Sequence, residues 1–500
     1  MSADLPRDPA PPSADLYDGA ALRALEAAAT AHLGGDAFAL MRRAGEAAWR
    51  ELLRHWPQAR RIVVVCGPGN NGGDGYVLAN HARQAGLEVR VVRLAAHPPG
   101  SELARRACAD FTGAGGVVAE FDGALPGADV VVDALFGIGL SRAPDAACSA
   151  LIAAIAGAGA PVLALDAPSG VETDSGDVPG TAVRADVTLQ FLAAHAGLRT
   201  GAALDQVGTL ALAPLDLPAG VLAEVEPVAA CLDARMLAAR FAPRPRNSHK
   251  GGSGHVLCIG GDEGKGGAVL LAAEAALRCG AGLVSVATRP AHVAPLLARC
   301  PEAMVQAVES EAALAPLLQR ATVLAVGPGL GQEVWGRALH QAALASGKPL
   351  VLDADALNLL AHHAQSPPAD AVLTPHPGEA ARLLGISTRE VQANRFAAAR
   401  LLCACFGCAV VLKGAGTVVA APGERPQVIA AGNPGMAVGG MGDVLTGCIA
   451  ALRAQGFPAF GAAVAGALLH AVAGDAAAAG GERGLLPGDL IAQLRRLVNP

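Results

Sequence analysis

The sequence predicts an α/β protein built from two successive domains, each a parallel β-sheet covered by helices. Three observations carry this. The chain has 500 residues, about twice the length at which a single core usually stops growing. Short β-branched runs alternate with helical stretches along most of it, and strands buried on both faces read as such continuous apolar runs. It is also rich in small residues. The 62 Gly fit many tight strand-to-helix turns, and with 52% hydrophobic but only 3% aromatic residues the cores must be filled mainly by Ala and Val.

Taken in order, residues 1–15 carry Asp4, Arg7 and Asp8 among Pro6, Pro9, Pro11 and Pro12 without an apolar run. They predict a disordered tail, not a signal peptide or anchor. Helical patterns follow over 20–32 and 36–56, with Asp36 as the N-cap of the second. Strands are predicted at 61–66, 88–94, 129–132, 161–165 and 186–191. Between 212 and 246 the rhythm lapses at Pro214, Pro218, Pro227, Pro243 and Pro245. The expected division is therefore a first domain over 16–225, a linker over 226–245 and a second domain over 246–500. Strands restart at 255–260, 282–288, 321–327, 349–353, 371–374 and 409–413, and no residue-by-residue repeat links the halves, so two unrelated domains are fused.

Two uncharged stretches, 146–165 and 457–474, approach membrane-spanning length. Gly157, Gly159 and Pro161 split the first into helix and strand, and the second, with Pro458 and His470 among Ala and Gly, reads as a buried helix. No membrane span is predicted. A net charge of −6 offers no basic face for nucleic acid. The 11 Cys are odd in number and sit in apolar runs, which predicts reduced, buried thiols in the cytoplasm. Cys403-x-Cys405-x-x-Cys408 lacks a fourth ligand nearby and reads the same way.

The strand at 61–66 runs into Gly67-Pro68-Gly69-Asn70-Asn71-Gly72-Gly73-Asp74-Gly75 and then a helix. Its G-x-G-x-x-G spacing lets the backbone turn sharply and approach a phosphate at a helix N-terminus, as in a Rossmann-like three-layer domain. A plain dinucleotide fold would also end the next strand in an acid for the ribose. That strand ends Val91-Val92-Arg93-Leu94. Acids instead close later strands: Asp133 before Ala134-Leu135-Phe136-Gly137, and Asp166 before Ala167-Pro168-Ser169-Gly170. Carboxyl ends of strands converge on one crevice in such sheets, so the Asn-Asn-Gly-Gly-Asp loop and both acids form one candidate site.

The second candidate site is Gly439-Gly440-Met441-Gly442-Asp443, opening a helix. Consecutive glycines expose amides where charge develops on a transferred phosphoryl group, and Asp443 is placed to take a proton from an attacking hydroxyl. This arrangement resembles that of the ribokinase-like α/β domains, the fold expected for this half. Lys413-Gly414-Ala415-Gly416-Thr417 can offer an ammonium, amides and a hydroxyl to a nucleotide, although it is not a Walker A loop, since the Lys precedes the glycines. Gly327-Pro328-Gly329-Leu330-Gly331, Asp353-Ala354-Asp355 and Thr374-Pro375-His376-Pro377-Gly378-Glu379 end neighbouring strands. His376, between two prolines, is held for ligand contact.

Residues 16–225, through Asn70 to Gly75, Val132 to Gly137 and Asp166 to Gly170, closely resemble the NAD(P)H-hydrate epimerases. The resemblance implies substrate contacts at Asn70, Asn71, Gly72, Gly73 and Asp74, at Gly137, Ile138, Gly139, Leu140, Ser141, Arg142 and Ala143, and at Asp166. It implies potassium ligands at Asn71, Asp133 and Ser169, and makes Asp166 the proton-transfer residue. Relatives that carry a Lys near Arg142 offer a base there, and a guanidinium is a poor one. The second proton-transfer group stays unassigned. Residues 240–500 closely resemble the ADP-dependent NAD(P)H-hydrate dehydratases, through the glycine and acid motifs above together with Ser248 to Gly251 and Gly260 to Asp262. That resemblance implies hydrate contacts at Ala268, Gly329, His376 and Asp443, and nucleotide contacts at Lys413, Gly414, Ala415, Gly416, Thr417 and Gly442.

The two resemblances together imply a cytoplasmic homo-oligomer that acts on NADHX and NADPHX, with K+, Mg2+ and ADP (or ATP) as co-substrate. It would epimerise the R and S hydrates and dehydrate the S form with Asp443 as base. The rival reading is a ribokinase-type small-molecule kinase with an N-terminal interaction module, in which the first domain's acids have no task.

Overall fold

A computed structural model describes residues 14–140, 142–362 and 366–499. Internal contacts divide them into two units, residues 14–229 and residues 230 onward.

In the first unit the Asp18 carboxylate accepts from Ala21 N at 2.9 Å and starts the helix Gly19–His32. Asp36 does the same for Ala37–His55 by accepting from Ala39 N at 3.0 Å, the cap read from sequence. Seven parallel strands follow in the spatial order Val117–Glu120, Glu88–Arg93, Arg61–Cys66, Val130–Ala134, Val162–Leu165, Val187–Phe191, Thr209–Ala213. The five central ones are the predicted strands. The two edge strands escaped prediction because they are largely exposed and show no continuous apolar run.

The tail prediction needs correction at its end. Ala14–Tyr17 is a strand that pairs with Ala194–His195, a partner so remote in sequence that local pattern cannot reveal it. The rest of that prediction, residues 1–13, lies outside the described residues.

The second unit orders its strands Met304–Ala307, Leu283–Thr288, His255–Ile259, Val323–Val326, Leu350–Leu352, Val372–Leu373, Ala409–Leu412, Thr417–Ala420, Gln427–Ile429, Ala229–Leu232. The first seven are mutually parallel, and the next two add antiparallel. The stretch 226–245, read as a linker, contains the strand Ala229–Leu232 paired with Gln427–Ile429. Four residues between prolines are too few to show periodicity. Both long apolar stretches take the expected forms, helix then strand for 146–165 and a helix for most of 457–474. By length and composition Ala459–Gly480 could cross a membrane, yet 67% of its apolar 18-residue window is buried inside the protein.

Candidate active sites

In the first unit the loops after the strands Arg61–Cys66, Val130–Ala134 and Val162–Leu165 meet around a cavity of about 440 Å3, a volume suited to a small-molecule site. Its walls include Asn70, Asn71, Asp74, Gly137, Ile138, Gly139 and Asp166. The close approach of the loops depends on glycine, because a Cβ at Gly67 would overlap the Leu135 carbonyl oxygen.

Asp166 follows its strand with φ at 67°, a conformation Asp tolerates better than most side chains. Its Oδ2 accepts from Ile138 N at 3.1 Å, while Oδ1 lies 3.2 Å from Nε2 of the fully buried His195 without hydrogen-bond geometry. Behind it, Asp133 is completely buried and accepts from Ser169 N at 2.8 Å, from Ser169 Oγ at 2.7 Å and from Leu135 N at 3.2 Å. Burial outweighs these bonds and pushes its carboxyl up to about 6. Asn71 donates Nδ2 to the carbonyls of Phe136 and Leu165, at 2.9 and 3.1 Å, which leaves its buried Oδ1 with no hydrogen-bond partner among the described residues. An orphaned amide oxygen, with one carboxylate and one hydroxyl on adjoining loops linked through Phe136, is a donor set of low total charge, of the kind that would suit a potassium ion.

In the second unit Gly440, with φ at 97°, turns the chain into the helix Met441–Ala454, and Asp443 stands in its first turn. Asp353 closes the strand Leu350–Leu352. Its Oδ1 is 2.7 Å from Lys413 Nζ and its Oδ2 accepts from Thr446 Oγ1 at 2.9 Å. Lys413 also reaches Glu379 at 3.7 Å. Gly442 lies over this pair, since a Cβ there would be 3.2 Å from Lys413 Nζ. Burial first, then the charge of Asp353, pushes the Asp443 carboxyl up to about 7, against the pull of Lys413. His376 caps the helix Pro377–Leu384. Its Nδ1 accepts from Gly378 N at 3.0 Å while Glu379 Oε2 accepts from His376 N at 2.8 Å. The ring is therefore neutral with its proton on Nε2, and burial lowers its pKa further. Ala268 and Gly329 adjoin, with 3.3 Å between the Ala268 Cβ and a Cβ built at Gly329.

A family described as YjeF-related protein N-terminus matches residues 37–197, and one described as NAD(P)H-hydrate dehydratase matches residues 256–496. The bifunctional NAD(P)H-hydrate repair enzyme of Coxiella burnetii is 47% identical over 97% of this chain and 99% of its own length. This chain belongs to the bifunctional NAD(P)H-hydrate repair enzyme family. The family's member in Escherichia coli is 44% identical over 94% of this chain and 91% of its own length. A ribokinase-like superfamily protein from Enterococcus faecalis is 33% identical and superposes with a TM-score of 0.51, covering 54% of this chain and 96% of that one. The second unit therefore has the ribokinase-like fold.

Against this family the structure sorts the residues expected from sequence. Gly72 and Gly73 sit buried inside the helix Asn70–Gln84 and serve packing: a Cβ at Gly72 would overlap the Gly67 carbonyl. Leu140, Arg142 and Ala143 do not line the first cavity, and Ser141 lies outside the described residues. The Lys413 ammonium, read from sequence as open to phosphate, is held by Asp353 and Glu379, and the Thr417 hydroxyl donates to Gly414 O at 2.9 Å. Arg395 is almost fully buried and donates to the carbonyls of Leu412 and Lys413 at 3.0 and 3.1 Å, supporting that loop from beneath.

Sequence reasoning missed Glu26, Arg23 and His195, which also line the first cavity. One signal for Glu26 was available. It falls four residues after Leu22 on the helix face that buries Leu22, Leu25 and Ala29, where an acid is out of pattern.

Proposed function

We propose that the first unit interconverts the R and S epimers of NADHX and NADPHX in the Asp166 cavity, and that the second converts the S form to NAD(P)H with ADP (or ATP) as phosphoryl donor. The observation that carries this reading is one chain holding two carboxyl-centred sites, one around Asp166 and one around Asp443, on the two folds of the repair family. The eleven cysteines, all free, suit a cytoplasmic location.

In the first unit Asn70, Asn71, Asp74, Gly137, Ile138, Gly139 and Asp166, which line the cavity, form the substrate site, with Asp166 as a proton-transfer group. Asn71, Asp133 and Ser169 would hold K+, which supplies fixed positive charge beside the reacting carboxyl. In the second unit Ala268, Gly329, His376 and Asp443 bind the hydrate, and Lys413, Gly414, Ala415, Gly416, Thr417 and Gly442 bind the nucleotide. Asp443 takes the proton of the C6 hydroxyl as its oxygen attacks the terminal phosphorus of ADP, and the P–O bond to AMP breaks. Phosphate then leaves C6 with its bonding electrons, and loss of a C5 proton restores the ring double bond. Amides at the start of the helix Met441–Ala454 face the charge that develops on the phosphoryl oxygens. Asp353 and Glu379 already hold Lys413. Mg2+ would thus be bound chiefly through the phosphates.

The purified chain, mixed with epimeric NADHX, is followed by absorbance of the reduced ring with ADP, with ATP and with neither. Nucleotide-dependent return of NADH from both epimers is expected, faster in K+ than in Na+ for the R form. No return with either nucleotide defeats the dehydratase reading, and consumption of the S epimer alone defeats the epimerase reading.

A further inference from the structure

The first cavity contains more acid than its expected residues account for. Asp166 reaches it from the loop after the strand Val162–Leu165, Asp74 from the helix Asn70–Gln84, and Glu26 from the helix Gly19–His32. Three carboxylates cannot all stay charged in one partly dry cavity, because like charges and lost hydration both favour keeping protons. Burial and then the charge of Asp166 raise the Glu26 carboxyl above its ordinary value. Asp74 is raised well above its own by burial, Asp166 and Glu26. Against these, the Asn70 side chain and Arg23 on the same helix act to lower Glu26, and His195 faces Asp166 at 3.2 Å. Asp74 is the more deeply enclosed, whereas Glu26 is half-buried on the cavity wall. The cavity thus presents, on the helix Gly19–His32, a carboxyl whose hold on its proton is strengthened and, on another element, Asp166, whose Oδ2 accepts from Ile138 N.

We propose that Glu26 is the second proton-transfer group of the epimerase, a catalytic residue paired with Asp166 across the hydrated ring. The assignment rests on the epimerase reading above. In the R to S direction Glu26 gives its proton to the C6 hydroxyl. The C6–O bond breaks with its electrons going to oxygen, water departs, and the lone pair of the ring nitrogen stabilises the cation at C6. Water then adds to C6 from the other face, and its proton passes to Asp166. The enzyme is left with Glu26 charged and Asp166 protonated, the state required for S to R, so each turnover primes the reverse one. Atoms balance as one water lost and one gained.

The test uses the full-length chain, purified R epimer and readout by the chain's own ADP-dependent formation of NADH. In E26Q the epimerisation kcat is expected to fall about 100-fold or more, the range for loss of a general acid. KM for the R epimer, the thermal unfolding profile and the turnover of pure S epimer should all stay as in wild type. Wild-type epimerisation should decline on the alkaline side as the acid loses its proton, and that decline should vanish in E26Q. E26D keeps an acid at the site and should recover part of the rate. E26Q epimerising within about threefold of wild type, or keeping the alkaline decline, overturns the assignment. A wild-type chain that consumes S but leaves R untouched overturns the epimerase reading itself, and the assignment with it.

Discussion

At the scale of single residues, both sites use burial to place a carboxyl where chemistry needs it. Asp443, pushed up to about 7 by enclosure and by Asp353, is half protonated near neutrality and accepts a proton readily. A base works only when charged, so acidification removes it. We expect kcat/KM for NADH formation from the S epimer to fall about tenfold per pH unit below roughly pH 7, measured as a pH series with saturating ADP. D443N should be slow and lack this limb. Asp133 offers a stability test. Ser169→Ala removes the 2.7 Å hydroxyl donor from a completely buried carboxyl and should destabilise the first unit by about 1.5–3 kcal/mol, read by calorimetry. Asp133, Asp166 and Ser169 were legible in the sequence because they sit at ends of recognisable strands. His195 was not, because it comes from a two-residue strand whose cavity-facing side is set by a distant partner, and Glu26 showed only as an acid on the apolar face of its helix.

At the scale of elements, loops rather than strands decide the sites, and their closeness is set by what a glycine lacks. Gly67→Ala would drive a Cβ into the Leu135 carbonyl and force apart two loops that line the cavity. A loss of about 1–3 kcal/mol or more is expected for the first unit, with epimerisation lost and dehydration of the S epimer retained. In the second unit Arg395 holds the carbonyls of Leu412 and Lys413 in place. Arg395→Leu should let the 413–417 loop relax and lower kcat/KM for ADP by about 10- to 100-fold, while epimerisation is unchanged. Central strands were legible from their apolar runs. Val117–Glu120 and Thr209–Ala213 were not, since an edge strand meets solvent and carries no such run.

At the scale of the whole molecule, each activity belongs to one of two compact units. D166N and D443N should therefore complement each other: each alone fails to convert R-NADHX to NADH, and a mixture of the two proteins restores conversion as the S epimer diffuses between them. Time courses of the mixture against wild type measure this, and no recovery would show that the S epimer never leaves the chain that made it. By itself the sequence determined the fold class, the order of the two domains and the main acids, because apolar periodicity and glycine-rich strand ends are local signals. Only the tertiary structure decided which residues meet. The orphaned Asn71 oxygen, the approach of His195 to Asp166, the capture of Lys413 by Asp353 and Glu379, and the entry of Glu26 into the cavity all join segments far apart in the chain. Burial and charge act through space, and spacing along the sequence does not record them.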